Sequence, residues 1–208
     1  MSPSSAPYHH GDLRAALVRA ALELLEEGGS AELSLRAAAR RAGVAASAPY
    51  RHYADRDALL SAVAAVGYRE LATYLAAAHP APSTPDDLAA VAVAYVQFAL
   101  QRPALFRVMF GEPCDRDSAD RVAATEAISA YVVAIVRQAF PGADPDALAT
   151  AVWALVHGLA FLHLDGKLDA SNQEAVADRV RAAVHAVLSA SVSMSASPAM
   201  QTPHRPAM

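Results

Sequence analysis

The 208-residue sequence predicts an all-α protein, built from a three-helix helix-turn-helix domain and a larger helical domain. Hydrophobic residues make up 54% of the chain and alanine is very common, a composition that suits closely packed helices. Apolar residues also recur at helical spacing in one segment after another. Together these patterns predict about nine helices.

The first helix is predicted over residues 12–27. Its apolar residues match helical spacing at every step, and Gly28 and Gly29 end it. Residues 1–10 are small, polar and proline-containing, so we expect them to form a flexible arm.

The second helix begins after Ser34, whose hydroxyl can accept a hydrogen bond from a free amide of the first turn. Leu35 begins its apolar face, and the small Ala39 lies where a second helix would cross. Gly43 suits the left-handed backbone of a tight turn. Val44 is expected to fill the gap between the two helices.

The third helix is predicted to carry residues 49–53, Pro-Tyr-Arg-His-Tyr. A proline inside a helix normally destabilises it by about 3 kcal/mol. If the cap is Ala46 or Ser47, the proline lies in the first turn, where its missing amide would have no partner. The tyrosines, arginine and histidine then supply groups that phosphates and base edges can bind.

Positive charge is concentrated in this segment. Between Leu33 and Arg56 there are five arginines and one acidic residue, Asp55, although the whole chain has a formal net charge of −4. A local basic patch fits a small DNA footprint. A helical hairpin on a solvated surface is the alternative. We favour DNA binding because the cap, the small crossing residue, the glycine and the aromatic-basic segment occur together.

Residues 11–60 resemble the N-terminal domain of the TetR family of transcriptional regulators. The similarity lies in Ala42-Gly43-Val44, Tyr50-Arg51-His52-Tyr53, Asp55-Arg56 and Leu59-Leu60. Residues 8–13, Tyr-His-His-Gly-Asp-Leu, are similar to the start of one subgroup. The C-terminal domain of that subgroup has a Trp-(three residues)-His-Gly signature, which this chain matches at Trp153, His157 and Gly158.

The resemblance implies a ligand-responsive repressor that binds a palindromic operator on double-stranded DNA as a cytoplasmic homodimer. Residues 11–56 would form the DNA-binding domain, and residues 57–189 would bind a ligand and dimerise. Tyr50 and His52 would contact DNA and Arg56 a phosphate. The full set of implied DNA-binding positions is Ser34, Arg36, Ala45, Ala46, Ser47, Tyr50, His52 and Arg56.

Four positions depart from the family pattern, of which Tyr53 in place of the commoner Phe and Arg56 in place of the commoner Lys are mild changes. Ala45 and Ala46 stand where relatives often carry serine and a larger polar residue, which removes possible base or phosphate contacts. Specificity would then depend more on Ser47, Tyr50, His52 and DNA shape. The two alanines keep open an alternative function, a helical interaction or ligand-binding module with weak or lost DNA binding.

The remaining helices are predicted from apolar spacing and from the prolines and glycines between them. Two runs, 91–100 and 128–136, contain many β-branched residues and could be strands, but their setting favours helices. Residues 190–208 are rich in Ser, Ala, Pro and Met and are predicted to be disordered. The predicted helices span residues 56–79, 91–100, 103–110, 118–140, 146–164 and 172–189.

The last two helices carry apolar stripes that we expect one chain to cover incompletely. Paired across a two-fold axis, they would form a four-helix bundle. Gly158 is expected to let another helix approach closely. The stripes consist of Leu148, Val152, Leu155, Val156, Leu159 and Leu162, followed by Val176, Val180, Ala183, Val184 and Val187.

The central helices contain aromatic residues that could line an apolar cavity or simply fill the core. For any one residue core packing is favoured, and the cavity itself is implied by the resemblance, together with an unidentified small-molecule effector. The candidate lining residues are Tyr95, Phe98, Phe106, Met109, Phe110, Tyr131, Trp153, His157 and Phe161.

Other classes of protein are disfavoured. The sequence has no phosphate loop, G-x-S-x-G, C-x-x-C or H-E-x-x-H motif. We therefore predict that the protein is not an enzyme and binds no cofactor. We also predict no metal site, since His9, His10 and Asp12 lack a second ligand motif. Cys114 is the single cysteine, which fits a reducing cytoplasm.

We expect no signal peptide and no membrane partner. The N-terminus lacks a charged start and an apolar run. Residues 147–164 are uncharged and only just long enough to cross a membrane. Their histidines and glycine favour a core or interface helix instead.

Overall fold

The computed structural model describes residues 10–111, 115 and 117–195. In these residues there are eight α-helices, two 3₁₀ turns and no strand, which confirms the all-α class. The 3₁₀ turns are Ser30–Glu32 and Pro49–Arg51. The helices are α1 His10–Gly28, α2 Leu35–Arg41, α3 Arg56–Ala78, α4 Pro85–Gln101, α5 Pro103–Phe110, α6 Ala119–Ala139, α7 Pro145–Leu164 and α8 Gln173–Ser195.

The third helix of the helix-turn-helix is the one predicted α-helix missing from this part of the chain. Residues 45–53, here called the Pro49 segment, form consecutive turns that include the 3₁₀ turn. The cause is that Pro49 has no amide to donate to the Ala45 carbonyl. That carbonyl instead accepts from the amide of Ala48, at 2.9 Å. The prolyl residue does occupy the first position of its turn, as predicted, although the cap is Ala48.

The other predicted helices are present, including those over the two β-branched runs. α4 starts earlier than predicted because Thr84 and Asp87 form a capping box. The Thr84 hydroxyl accepts from the Asp87 amide at 3.2 Å, and the carboxylate accepts from the Thr84 amide at 2.9 Å. α8 continues to Ser195, past the predicted end at residue 189, and no proline occurs before Pro198. Residues 196–208 of the predicted tail lie outside the described part.

α3 connects the two halves of the fold. It packs against α1, α4, α5 and α6, and one face is buried from Leu59 to Leu75. Gly67 allows the close approach of α5, since a Cβ atom there would lie 2.6 Å from the Met109 Sδ. Arg102 adds a polar connection, because its guanidinium contacts Glu26 of α1 and Glu70 of α3, both at 2.9 Å.

The apolar stripes of α7 and α8, which we expected one chain to cover incompletely, are mostly buried within this chain, while Leu155, Ala183 and Val187 are half-buried. Both helices direct these stripes at α4, which covers them. Only Leu162, 43% exposed, is a large residue of the set left open. The uncovered surface is a different stripe of small residues: Ala147, Ala151, Ala154 and Gly158 on α7, and Ala175, Ala182 and Ala186 on α8.

α7 is apolar on more than its buried side. Among the described helices, α7 is the one that by itself is long and apolar enough to cross a membrane. Only 39% of its most apolar 18-residue stretch is buried in this chain. The bent pair α4 and α5, at 106°, passes the same test only when joined. Apart from the backbone of α7 itself, no atom of the described residues comes within 4 Å of a Cβ placed on Gly158, so no other described helix of the same chain makes the expected close approach.

Candidate functional site

α2 and the turn after it have the geometry predicted from the sequence. The Ser34 hydroxyl accepts from the amide of Ala37 at 3.1 Å and caps the helix. Gly43 has φ of +70°, and the next amide, that of Val44, donates to the Ala39 carbonyl at 3.0 Å. This is the six-to-one hydrogen bond of a Schellman motif. The turn therefore fixes where the Pro49 segment leaves α2.

The Pro49 segment presents an exposed surface on a buried base. Pro49 and Tyr53 are buried, and the Tyr53 hydroxyl donates to the Arg14 carbonyl of α1 at 3.5 Å. Burial raises the pKa of Tyr53. Tyr50 points outward and is 52% exposed, which is unusual for a large aromatic residue. The predicted positions Ala45, Ala46 and Ser47 are exposed beside it, while His52 is half-buried.

The arginines around this segment divide into two groups. Arg36, Arg40 and Arg51 are exposed, and none of them forms an ion pair with any residue the structure describes. Arg41 instead pairs with Glu23 and Glu27 of α1, and its hydrogen bond lowers the pKa of Glu27. The first group leaves three cations facing solvent on α2 and the Pro49 segment.

Arg56 has a structural role that the sequence did not reveal. Its Nε donates to the Leu33 carbonyl at 3.0 Å and its Nη2 to the Ser30 carbonyl at 2.8 Å. These bonds tie the start of α3 to the segment before α2. The predicted cap of α3 is present, since the Asp55 carboxylate accepts from the Ala58 amide at 2.8 Å. A phosphate contact by Arg56 stays a prediction.

Of the exposed cations, Arg40 was not predicted to contact DNA, and Arg51 was named only as part of the aromatic-basic segment and not among the positions implied by the resemblance. Their sequence signal is weak, because helical spacing places Arg40 and Arg41 equally off the apolar face of α2. The glutamates of α1 pair with Arg41 and not with Arg40. In the sequence, Glu27 lies 14 residues and Glu23 lies 18 residues from Arg41, so the pairing is not a local signal.

A cavity of about 480 Å³ lies between α3, α4, α5, α6 and α7. This volume is within the range of small-molecule sites. Of the predicted lining residues, the cavity is bordered by Tyr95, Met109, Phe110 and Trp153. The sequence analysis missed its polar members, which sit mainly on α6 and α7: Arg121, Thr125, Ser129, Asp146 and Thr150.

The other predicted lining residues do not border the cavity and pack beside it. Phe106 is completely buried and contacts Phe110 and Phe161 with ring centroids 4.7 and 5.6 Å apart. Phe98 packs on Tyr74, with centroids 5.8 Å apart. The Tyr131 hydroxyl is buried with no hydrogen-bond partner among the described residues. Phe98 and Phe106 are therefore buried in the core, while Tyr131 is half-buried beside the cavity.

His157 also lies behind the cavity wall. Its Nδ1 is 3.0 Å from the Tyr95 hydroxyl, and its ring contacts Phe110 edge-on at 4.7 Å. Burial lowers the pKa of His157 and raises that of Tyr95. The neutral imidazole is therefore favoured, and it orients the tyrosine that borders the cavity.

Metal chemistry finds no support in the part of the chain that can be described. No group of three or more His, Cys, Asp or Glu side chains there could hold an ion. Residue 9 of the His-His-x-Asp pattern and Cys114 fall outside the described residues, so the structure does not test them.

Comparisons with known proteins match both halves of the chain. Residues 17–63 match the family described as bacterial regulatory proteins, tetR family, and residues 88–189 match the tetracyclin repressor-like C-terminal domain. An HTH-type transcriptional regulator of Mycobacterium bovis is 35% identical over 130 residues, which cover 59% of this chain and 56% of that protein.

Two solved structures from Rhodococcus agree with this. A protein of unknown function from Rhodococcus sp. RHA1 is 36% identical, with a TM-score of 0.73 over 86% of this chain and 97% of that one. A regulatory protein described as in the tetR family is 22% identical and shares the fold, with a TM-score of 0.63 over 83% and 95% of the two chains. By these matches the chain belongs to the tetR family of bacterial regulatory proteins.

Proposed function

We propose that this chain is a DNA-binding transcriptional regulator that binds a palindromic operator as a homodimer and releases it in response to a small molecule. The observation that carries the proposal is the outward Tyr50, held on a buried proline base, together with three exposed arginines of α2 and the Pro49 segment that form no ion pair with a described residue. Groups of this kind bind phosphates and base edges in a duplex.

The DNA contacts divide by chemistry. Tyr50 and His52 are proposed to contact bases or sugars, and the exposed backbone of Ala45, Ala46 and Ser47 comes close to the duplex. Arg36 of α2 and Arg56 at the start of α3 are proposed to neutralise phosphates. The Ser34 end of α2 would face the DNA backbone. Small side chains at 45 and 46 leave specificity to Tyr50, His52 and DNA shape.

The homodimer uses α7 and α8. Their uncovered stripes consist of alanines and Gly158, which permit two helices to approach closely, and no charged residue interrupts the α7 stripe. Two chains related by a two-fold axis would bury these stripes in a four-helix bundle. This also explains why an apolar helix is left partly bare. No membrane partner is needed, and we propose a cytoplasmic location.

The effector response would arise from a shift between two conformations. A ligand in the cavity can change operator affinity only if it binds one conformation better than the other. α3 borders the cavity through Tyr68 and Leu71 and begins at the Pro49 segment, so it connects the two sites. Repression is the proposed sign of regulation.

We also place the chain in the subgroup with a Trp-His-Gly signature. Trp153 borders the cavity and is 48% exposed, His157 orients Tyr95, and Gly158 lies on the proposed dimer stripe. Trp153 would thus contact the ligand, His157 would maintain the shape of the cavity, and Gly158 would contact the second chain of the dimer.

The proposal is tested by an electrophoretic mobility shift with DNA from upstream of the protein's own gene. Wild-type protein should shift one fragment specifically, and Tyr50→Ala should weaken that binding by about 1–3 kcal/mol. Circular dichroism should show the same fold for both proteins because Tyr50 is exposed. If neither protein shifts any fragment, the interaction module without DNA binding becomes the better function.

A further inference from the structure

The described lining of the cavity is largely apolar and includes one cation. Leu71, Ile128 and Val132 line it with the aromatic residues already described. Arg121, in the first turn of α6, is the single basic residue on the described lining. A ligand that fills this space must therefore present a largely apolar body and a polar group that suits an arginine.

Arg121 carries a buried nitrogen that has no hydrogen-bond partner among the described residues. Its Nε is buried from solvent, and its guanidinium makes no hydrogen bond or ion pair to any residue that the structure describes. An arginine stays charged in proteins, and a buried donor without an acceptor is unfavourable. A ligand oxygen at this position would remove that penalty.

The residues around Arg121 can accept a polar head group. Thr125 is one helical turn further along α6, and its hydroxyl donates to the Arg121 carbonyl at 2.8 Å, which leaves its oxygen free to accept. Ser129 follows one turn later on the same side of α6 and also borders the cavity. The hydroxyls of Thr125 and Ser129 therefore lie along α6 between Arg121 and the apolar Val132, all on the side of the helix that borders the cavity.

Asp146 is the one acidic residue on the described lining, and it does not offset Arg121. The two side chains form no ion pair, and Asp146 is exposed at the first turn of α7. Solvent and the helix N-terminus already stabilise its charge. A ligand is therefore selected by the unsatisfied arginine and not by the solvated carboxylate.

We propose that the cavity binds an organic carboxylate with a largely apolar body, and that Arg121 binds the carboxylate group. This inference rests on the proposed effector response and names the chemical class of the effector. A charged acceptor is favoured over a neutral one because charge-assisted hydrogen bonds to a guanidinium are stronger and often bidentate.

The test compares decanoate, decanol and decylamine, which share one apolar chain, and naphthylacetate with naphthylethanol as a second scaffold. Binding is measured by calorimetry and by the fluorescence of Trp153, the single tryptophan in the chain. On at least one scaffold the acid should bind about tenfold more tightly than its neutral analogue. Equal binding of acid and alcohol, tightest binding of the amine, or no binding on either scaffold would overturn the proposal.

Variants assign the effect to Arg121. Arg121→Gln should weaken binding of the acid about tenfold and leave the alcohol nearly unchanged. Arg137→Gln is the matched control, since Arg137 is an exposed arginine of the same helix outside the cavity lining. An unchanged acid affinity in Arg121→Gln would refute the assignment.

Asp146→Asn covers the case in which Arg121→Gln fails to fold. It removes an exposed carboxylate and should raise the acid affinity by about twofold, because a like charge is lost. A lower acid affinity would contradict the proposal. These assays contain no DNA. Ligand binding can therefore be found where operator binding fails, and operator binding can be found where ligand binding fails, so the two proposals can be told apart.

Discussion

Adjacent residues of α2 with the same side chain have different roles. Arg41 is held by Glu23 and Glu27, while Arg40 faces solvent without an ion pair among the described residues. The first stabilises the packing of α2 on α1, and the second adds charge to the proposed DNA surface. Electrostatic attraction to phosphate requires a cation that is not already neutralised.

Arg40→Gln and Arg41→Gln form a matched pair. Arg40→Gln should weaken DNA binding and reduce the slope of log affinity against log salt by about one, the contribution of one phosphate contact. Arg41→Gln should leave the slope unchanged and lower the melting temperature slightly. Fluorescence anisotropy over a salt series measures the slopes, and equal slopes in the two variants would contradict the division of the arginines.

His163 gives stability a dependence on pH. Burial, with a smaller contribution from the charge of Arg179, lowers the pKa of this histidine in the folded protein. Its contribution to stability is therefore complete above the unfolded pKa of about 6.5 and is lost as pH falls below it. The melting temperature should drop between about pH 7 and pH 5, and His163→Gln should flatten that drop. An identical pH profile in the variant would refute this account.

Single residues were predictable where the signal was local. Ser34 as a cap, Gly43 at positive φ and Asp55 as the next cap follow from nearby positions alone, and each is present. Arg121 was missed because its importance comes from burial against distant helices. The partners of Arg41 and Arg56 were missed for the same reason, since they lie far away in sequence.

At the scale of elements, the first turn of α6 has contacts in two directions. Arg121 borders the cavity, and the preceding Asp120 pairs with Arg14 of α1 at 3.3 Å. The Arg14 guanidinium in turn lies 5.8 Å from the ring centre of Tyr53 in the Pro49 segment. A ligand that moves this turn would therefore act on the DNA-binding domain through neighbouring contacts as well as through α3.

Asp120→Asn tests that route. The pair is exposed, so stability should change by less than about 1 kcal/mol. The ratio of operator affinities without and with saturating decanoate should fall at least roughly twofold, because one connection between the sites is lost. Asp178→Asn is the control, since Asp178 pairs with Arg181 within α8. An unchanged ratio in Asp120→Asn would exclude this contact as a route.

Helices were predictable as elements because apolar spacing and capping residues repeat over many positions. The exception is the Pro49 segment. A helical conformation was predicted there, but the missing amide of Pro49 changed the hydrogen bonding from α to 3₁₀. The end of α8 was misjudged for the opposite reason. Its serines are compatible with a helix, and no residue forbids continuation before Pro198.

At the scale of the whole molecule, the proposed dimer would determine whether two Pro49 segments can reach one palindrome. Helical periodicity marked the apolar stripes of α7 and α8, but it did not show that most of their residues would be buried by neighbours in the same chain. The neighbouring helices, among them α4, cover most of the larger residues, and the exposed small ones are those proposed to contact a second copy.

Ala154→Glu places a charge in the middle of the proposed dimer stripe. Sedimentation velocity should show a shift from dimer to monomer, and operator affinity should fall about tenfold or more because both half-sites are no longer bound together. Ala127→Glu, at an exposed alanine of α6, should remain dimeric. A dimeric Ala154→Glu would place the interface elsewhere.

The most direct test of the account is the salt dependence of binding between wild-type protein and its own upstream DNA. Specific binding that loses roughly 10³–10⁵ in affinity between about 50 and 200 mM salt, with two chains per site, is the predicted result. A monomer that binds no fragment more tightly than unrelated DNA, even at low salt, would contradict it.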